Sequence, residues 1–426
     1  MTRPFEIDPH PGRPKILFVG SSASTHTHSW IDLLENAEMN VRLFSNDDAS
    51  PPPEWNVKTY LTNPGDIAPK SSPHRRSYFM LSASKKSLVG MAFRAFRLLK
   101  FKRPSWGQAL ANVVRSWKPD IIHTLGLSPT SYEFFKVRQQ FNLNAGKWIV
   151  QVRGGPDLDL NQHIPLHQPL IRDVIMSCDQ LIADSEQNYD LLRQLGVPAE
   201  RLSPLGVVPG SGGIDVAGLS RQWSGLPSQR SRIIVWPKTY EAPSSKALPV
   251  FEALRLAWPR IRPCRIYMLW VVQPEIQAWF AKLPAEIRDS CTLLDRIPRA
   301  ETLDLFLKAR VMLAPSLTDG IPNSMLEAMA CGAFPIVSPI DTLRPLIKSP
   351  DNTIFARNLY PEEIAAALDR AMNDDELVDA GAQRNLEFVG RQSNRDTIRP
   401  RVIQYYEDLA NPKMAALGIP KEKAAA

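Results

Sequence analysis

Two rounds of short apolar segments, each followed by a polar loop or a helical pattern, constrain the fold of this chain most strongly. The first round comprises KILFVG (15–20), VRLFSND (41–47), DIIHTLG (120–126), KWIVQVRGG (147–155) and QLIADS (180–185). The second comprises RIIVWPK (232–238), RIYMLWVV (265–272), TLLDRI (292–297), VMLAPS (311–316) and FPIVS (334–338). Buried strands that alternate with helices form parallel sheets. The sequence therefore predicts an α/β protein with two parallel sheets.

A glycine- and proline-rich segment, LGVVPGSGGID (205–215), separates the two rounds and predicts a linker. We predict an N-terminal Rossmann-like domain over residues 1–210 and a C-terminal one over residues 211–395. A helix over 396–410 is expected to pack back on the first domain, and residues 411–426 to form a flexible tail. Because open parallel sheets bind ligands at the carboxyl ends of their strands, we expect the ligand in a cleft between the domains.

The composition is that of a folded protein, with 44% hydrophobic and 22% charged residues. A formal net charge of +7 favours anionic partners in general. The four cysteines are far apart and lack metal-site spacing, so they predict neither a disulfide nor a zinc site. The N-terminus lacks an apolar signal-peptide core, and the longest apolar run, Ile266–Val272, is too short to cross a bilayer. We therefore expect a cytoplasmic protein.

The segment PSLTDGIPNSMLEAMACGAFPIVS (315–338) places two acids, Asp319 and Glu327, on either side of a helix start. The helical pattern begins near Asn323 or Ser324, and Gly332 is a suitable residue to end it. The free N–H groups at a helix start can bind phosphate. Two structural alternatives are open: Ser324 and Glu327 have the spacing of a capping box, and Asp319 before a glycine is typical of a turn.

This segment resembles the signature of retaining GT-B glycosyltransferases of the GT4 type (glycosyl transferases group 1), in which two acids are separated by seven residues. The resemblance implies two Rossmann-like domains facing across a cleft, a nucleotide-diphosphate sugar as co-substrate and no bound metal or other cofactor. It implies that Asp319 approaches the hydroxyls of the donor sugar and that Glu327 binds the ribose. The family usually has glutamate at the first acid, so Asp319 is a departure. The residues that it implies near the diphosphate are Gly320, Ile321, Pro322, Asn323 and Ser324.

Two lysines follow the first strand of the second round, in IIVWPKTYEAPSSKALPVFEAL (233–254). The resemblance predicts a basic pair here, usually arginine and lysine, that contacts the diphosphate; Lys238 replaces the arginine, and the spacing to Lys246 is longer. Lysine still acts on phosphate as a point charge. The alternative for Lys238 is a solvated strand-end residue. Lys246 begins a helix, where the dipole disfavours a cation that lacks an anionic partner.

Three segments of the first round supply further candidates. The loop GSSASTHTHSW (20–30) follows the first strand, and we predict donor contacts at Gly20 and Ser21. His123 ends a strand where similar enzymes carry a histidine near the reacting sugar, and the alternative is a packed or capping histidine. Arg153 and Gly154 end another strand and are predicted to bind the donor, because glycine permits close approach of the backbone.

A stretch without acidic residues, from Ile67 to Pro119, contains many arginines, lysines and aromatics. Such composition suits an anionic membrane surface, and we predict peripheral membrane contact through residues 75–103. The alternative is a solvated basic face of an ordinary helix. The absence of a recognised module argues against nucleic acid as a partner.

The sequence thus predicts a retaining glycosyltransferase that uses a nucleotide sugar and a glycan or lipid-linked acceptor, in bacterial surface polysaccharide synthesis. The alternatives are a nucleotide-sugar epimerase of the same fold and a non-catalytic nucleotide-binding relative. These three differ in whether a sugar is transferred, isomerised or merely bound.

Overall fold

Two parallel sheets form the frame of the protein. In this computed structural model, residues 5–47, 49–62, 74–77 and 105–411 are described. The strands of the first sheet are β1 (Lys15–Gly20), β2 (Asn40–Ser45), β3 (Lys58–Leu61), β4 (Arg75–Ser77), β5 (Ile121–Leu125), β6 (Lys147–Val152) and β7 (Gln180–Ala183). Those of the second are β8 (Ile233–Trp236), β9 (Arg265–Leu269), β10 (Cys291–Leu294), β11 (Val311–Ala314), β12 (Phe334–Val337) and β13 (Ile354–Phe355). The predicted α/β class and the predicted strands are confirmed.

The first sheet has the order β4-β3-β2-β1-β5-β6-β7, and all its neighbouring strands are parallel. Its central strands carry apolar residues on both faces, as expected for a sheet covered by helices on both sides. The order reverses between β1 and β5, whose carboxyl ends are at Gly20 and Leu125. A ligand crevice is therefore expected beyond these ends.

The second sheet has the order β10-β9-β8-β11-β12-β13 and is also parallel throughout. Its order reverses between β8 and β11, which end at Trp236 and Ala314. The loops after these two strands carry Lys238 and Asp319. The topology alone therefore brings the predicted basic residue and the first predicted acid to the same edge of the sheet.

Helices connect the strands and cover both sheets. They are α1 (Thr25–Ile31), α2 (Trp106–Trp117), α3 (Tyr132–Gln140), α4 (Gln168–Ser177), α5 (Glu186–Gln194), α6 (Val216–Ser220), α7 (Leu248–Ile261), α8 (Pro274–Ala281), α9 (Ala285–Arg288), α10 (Arg299–Lys308), α11 (Asn323–Ala330), α12 (Pro361–Asn373), α13 (Asp375–Gln392) and α14 (Arg395–Ala410).

The last helix, α14, returns to the first sheet. Its Tyr406 is fully buried, and the Trp30 indole N–H donates to the Tyr406 hydroxyl at 3.1 Å. Arg395 at its start donates to the Ser29 carbonyl at 3.1 Å. Helix α14 therefore packs against the N-terminal half, although it lies more than 360 positions away from Ser29 and Trp30 in the sequence.

The sequence missed three short strands, and some of its predictions concern residues that are not described. Strands β3, β4 and β13 were not predicted, because they are short or polar. Most of the basic stretch, residues 78–104, and the predicted tail after residue 411 lie outside the described residues, so the membrane contact and the flexible tail stay predictions. Among the described helices, none has the length and apolar character needed to cross a bilayer.

Candidate active site

A cleft of about 730 Å³ opens between the two halves, at the strand ends where the second sheet reverses its order. Its lining combines residues of both sheets. The predicted site residues that line it are Arg153, Gly154, Lys238, Asp319, Ile321, Pro322, Asn323, Ser324 and Glu327. The structure therefore brings most of the predicted donor-binding residues to one cavity.

Lys238 and Asp319 form an ion pair inside this cleft, although 81 positions separate them in the chain. Burial lowers the pKa of Lys238, but the Asp319 carboxylate and the Tyr240 phenol raise it more, and the net pKa is above its usual value. The ammonium group is thus a permanent positive charge near neutral pH. The other Asp319 oxygen accepts from the Gly320 N–H at 2.9 Å, which fixes the orientation of the carboxylate.

Glu327 is 8% exposed and pairs with Arg299. The Arg299 Nε–H donates to Glu327 Oε1 at 2.6 Å. The capping box does not form, because α11 is preceded by Pro322 and Ser324 is already its second residue. A buried carboxylate with one cation therefore points from the helix into the cleft, and it takes no part in capping.

The two halves touch where Gly154 faces Gly320. A Cβ atom added at Gly154 would lie 1.9 Å from the Gly320 Cα, so only glycine fits there. The buried Asp184 carboxylate accepts from the Gly154 N–H at 3.0 Å and from the Asn188 amide at 2.9 Å. Burial raises the pKa of Asp184 to about 7, and the nearby Asp319 carboxylate adds to the rise against these hydrogen bonds.

A histidine from the first half faces the start of α11. The Asn323 side-chain amide lies 3.2 Å from His26 Nδ1 and can donate to it when that nitrogen is unprotonated. Desolvation and the cations Arg153, Arg299 and Lys238 lower the pKa of His26 to about 4, against the effect of Asp319. His26 is therefore neutral near pH 7 and can accept this hydrogen bond.

Part of the cleft lining, after strands β9 and β10, is apolar. Leu269, Trp270, Val272 and Ile297 form it. The Trp270 side chain is 42% exposed, and the residue has φ of 68°, a left-handed conformation that is unusual for a bulky side chain. The Arg296 guanidinium lies 4.6 Å from the centre of the indole ring. An exposed, conformationally constrained aromatic ring at this position is suited to stacking with a flat ligand group.

Lys246 does not line this cleft. Its Nζ lies 3.3 Å from Glu241 Oε2, and its backbone N–H donates to the Asn358 side chain at 3.0 Å. The same glutamate accepts from the Ala247 N–H at 2.7 Å and so covers the start of α7. The anionic partner expected for Lys246 from the helix dipole is thus a side chain of this protein.

His123, which the sequence placed among the catalytic residues, does not reach the cleft either. Its ring is fully buried in the first half, with Nδ1 2.6 Å from the Tyr406 hydroxyl and Trp30 at its edge. Burial, assisted by the Arg153 guanidinium, lowers the pKa of His123 to about 3. This geometry matches the alternative of a packed histidine.

Gly20 and Ser21 do not line the cleft either. Gly20 packs against Leu125 at the end of the neighbouring strand, and the Ser21 hydroxyl donates to Asp47. The helix that follows them, α1, reaches the cleft through Thr25 and His26.

Arg299, His26 and Asp184 line the cleft but were not singled out from the sequence. Arg299 carries a signal that the sequence offered: it begins a helix, where a cation without an anionic partner is unfavourable. The same argument applies to Lys246. No comparable local signal marks His26 or Asp184, because their positions depend on how the two halves meet.

No metal-binding cluster is found among the residues that the structure describes, when three or more histidine, cysteine, aspartate or glutamate side chains are required. The metal independence that the resemblance implies stays a prediction.

Residues 244–374 match the protein family described as Glycosyl transferases group 1. The matched range contains Asp319 and Glu327 and begins after Lys238. No curated protein sequence matches the chain.

Several solved structures share the architecture over nearly the whole chain. Sucrose-phosphate synthase from Thermosynechococcus elongatus has 17% identity and a TM-score of 0.63, over 93% of this chain and 99% of that one. Anabaena HepE, in complex with UDP and glucose, has 12% identity and a TM-score of 0.65, over 92% and 99%. A glycosyltransferase from Rickettsia africae has 11% identity and a TM-score of 0.61, over 93% and 99%. The chain therefore has the predicted GT-B fold, with two Rossmann-like sheets.

Proposed function

We propose that this protein is a retaining glycosyltransferase of the GT4 type that transfers a sugar from a nucleotide-diphosphate sugar to a glycan or lipid-linked acceptor. The observation that carries the proposal is the convergence of Asp319 and Glu327, each paired with a cation, in one cleft between the halves. The match of residues 244–374 to Glycosyl transferases group 1 supports it. So does the structural neighbour HepE, which was solved with UDP and glucose.

The donor would lie along the cleft with its base at the apolar part of the lining. There the base stacks on Trp270, and the ribose hydroxyls donate to the Glu327 carboxylate. The diphosphate lies near Arg299, Lys238 and the N-terminal N–H groups of α11, which together offer positive charge. The sugar then reaches Asp319, whose carboxylate accepts hydrogen bonds from its hydroxyls.

In the proposed reaction, the bond between the sugar C1 and the diphosphate oxygen breaks, and the nucleoside diphosphate leaves with the electron pair. The acceptor hydroxyl oxygen forms the new bond to C1 on the same face, and its proton passes to the oxygen of the leaving diphosphate. Lys238 and Arg299 stabilise the negative charge that develops on the leaving diphosphate. This task needs permanent cations, which the raised pKa of Lys238 ensures.

We further propose a cytoplasmic enzyme of bacterial surface polysaccharide synthesis that contacts the membrane peripherally through residues 75–103. The segment from Ile67 to Pro119 has no acidic residue, and this supports contact with an anionic membrane, where a lipid-linked acceptor would be found.

A nucleotide screen by thermal shift tests the donor site, with UDP, GDP, ADP and CMP on the wild type and on Glu327→Gln. This substitution keeps the shape of the side chain and an oxygen that Arg299 can contact, but it removes the charge that binds ribose. A nucleotide at 100 times its Kd stabilises the folded state by about 2.7 kcal/mol, which shifts the melting temperature measurably. Glu362→Gln, an exposed change on α12, is the matched control.

We expect one diphosphate to stabilise the wild type and the control but not Glu327→Gln. If no nucleotide stabilises the wild type, the transferase proposal fails. Incubation of the matching nucleotide sugar with acceptor extracts then separates the alternatives. Conversion of the donor sugar without any acceptor indicates an epimerase, and binding with neither transfer nor hydrolysis indicates a non-catalytic relative.

A further inference from the structure

A second, smaller compartment of about 310 Å³ also lies between the two halves. Thr318 and Asp319 line both this compartment and the cleft. The loop that carries Asp319 touches the first half at Gly154, and the Thr318 hydroxyl donates to Asp159 at 2.7 Å. This loop is therefore a wall shared by two neighbouring cavities.

Both halves contribute to the walls of the smaller compartment. Asp159 and Gln187 come from the first half. The second half supplies the loops after β11, β12 and β13, which include residues 316–319, 338–342 and 357–360. These are the carboxyl ends of parallel strands, where open sheets bind ligands.

Several polar groups of this compartment have unused hydrogen-bonding capacity. Within the described ranges, the Gln187 amide and the Asp341 carboxylate make no hydrogen bond or ion pair. Arg344 uses only its Nε–H, which donates to the Pro339 carbonyl at 2.6 Å. Ser316, which also lines the compartment, is 5% exposed, and its hydroxyl has no hydrogen-bond partner among the described atoms.

Donors and acceptors mixed in this way suit hydroxyl groups, which can both donate and accept. The compartment also has cations, but Arg357 pairs with Glu363 and Arg344 stands near Asp341 in sequence, so its lining carries charges of both signs. Aromatic surface is present too, since Tyr360 lines the compartment and is 45% exposed. A volume of about 310 Å³ is at the lower end of small-molecule sites, which span about 300–1,000 Å³.

We propose that this compartment binds one neutral sugar ring of the acceptor, beside the Asp319 loop. The inference rests on the proposed function, because the donor sugar is placed on the cleft side of the same loop. The bound ring would thus be a neighbour of the acceptor ring that receives the sugar, and Gln187, Asp341 and Arg344 would select its hydroxyl pattern.

Saturation-transfer NMR with four probes tests this site: the methyl α-glycosides of glucose, galactose, mannose and N-acetylglucosamine. Each is titrated into the wild type and into the double variant Gln187→Ala/Asp341→Ala. The matched control is Gln194→Ala/Asp351→Ala, which removes an exposed glutamine from the same helix, α5, and an exposed aspartate outside both cavities. We expect at least one probe to bind the wild type, an affinity at least tenfold lower in the double variant, and a change of less than twofold in the control.

Nucleotide binding is measured on the same samples, so the two proposals can fail separately. If a nucleotide binds but none of the four glycosides does, the acceptor compartment is rejected and the donor site stands. A glycoside that binds the double variant as well as the wild type also rejects it. A glycoside that competes with the intact nucleotide sugar assigns the ring to the donor and overturns the proposal. Absence of nucleotide binding rejects the proposed function itself.

Discussion

The Asp184 carboxyl group is the buried acid that gives the cleft a pH-dependent stability. Its pKa is raised to about 7 in the folded protein, mainly by burial, against an ordinary value of 3.8. The folded state therefore holds a proton that the unfolded state releases above pH 3.8. The contribution of this proton to the free energy of unfolding is fully present below pH 3.8, and it is lost as the pH rises through 7.

We therefore expect Asp184→Asn to remove part of the pH dependence of unfolding. Between pH 6 and pH 8, the free energy of unfolding of the wild type should fall by about 1.4 kcal/mol more than that of the variant. Urea denaturation at both pH values measures the difference. The exposed Asp190→Asn is the control and should keep the wild-type slope. Equal slopes for Asp184→Asn and wild type would mean that the carboxyl is ionised throughout this range.

Trp270 is expected to contribute to nucleotide affinity with little effect on folding, because its ring is 42% exposed. Stacking of a base on an aromatic ring is worth about 1–3 kcal/mol. Trp270→Ala should therefore weaken binding of the preferred nucleotide by about fivefold to a hundredfold in isothermal titration calorimetry. Trp270→Phe retains a ring and should recover most of the affinity. An unchanged affinity in Trp270→Ala would place the base elsewhere in the cleft.

At the residue scale, the sequence identified the two acids and Lys238, but not the pairing of Lys238 with Asp319 or the presence of Arg299 beside Glu327. Asp319 and Glu327 belong to one local pattern, so their spacing was visible. Their cations lie on other segments, with Lys238 81 positions from Asp319 and Arg299 28 positions from Glu327. No spacing rule connects such residues, because the sheet order decides which loops meet.

At the scale of elements, the start of α7 depends on Glu241. This side chain accepts from the Ala247 and Leu248 N–H groups at 2.7 and 3.4 Å and also pairs with Lys246. Glu241→Ala leaves those donors without an acceptor and should lower the free energy of unfolding by about 1 kcal/mol in urea denaturation. Glu241→Gln keeps an acceptor oxygen and should lose less. Equal losses in both variants would assign the effect to the Lys246 ion pair.

The strands that could be predicted are buried ones, because a buried strand appears in the sequence as a continuous apolar run. KILFVG became β1 without a change in its bounds, and VMLAPS and FPIVS contain β11 and β12. By contrast, β4 is the polar Arg75–Ser77 and β13 is the two-residue Ile354–Phe355, which only their neighbours in the sheet define. The helix was predicted to start near Asn323 or Ser324, and it starts at Asn323. The alternative of a capping box does not form, since Pro322 precedes the helix and Glu327 pairs with Arg299.

At the scale of the whole molecule, the two halves touch across the cleft where Gly154 faces Gly320. Both glycines were predicted to lie near the donor, but the close approach that the structure shows is between the glycines themselves. Pairing between two distant loops depends on the relative placement of the halves. That placement follows from many contacts, including those of α14, and not from any local pattern.

Gly154→Ala should consequently separate the halves or displace the Asp319 loop, since the new Cβ would lie 1.9 Å from the Gly320 Cα. We expect transfer, or donor hydrolysis where the acceptor is lacking, to fall at least tenfold, and the radius of gyration in small-angle X-ray scattering to increase. Gly210→Ala is the matched control in the same cleft: its Cβ would meet Asn323 at 3.5 Å, an ordinary contact, and should leave both measurements near wild type. Wild-type activity in Gly154→Ala would show that the reaction proceeds without this contact, because its closed arrangement could not form in the variant.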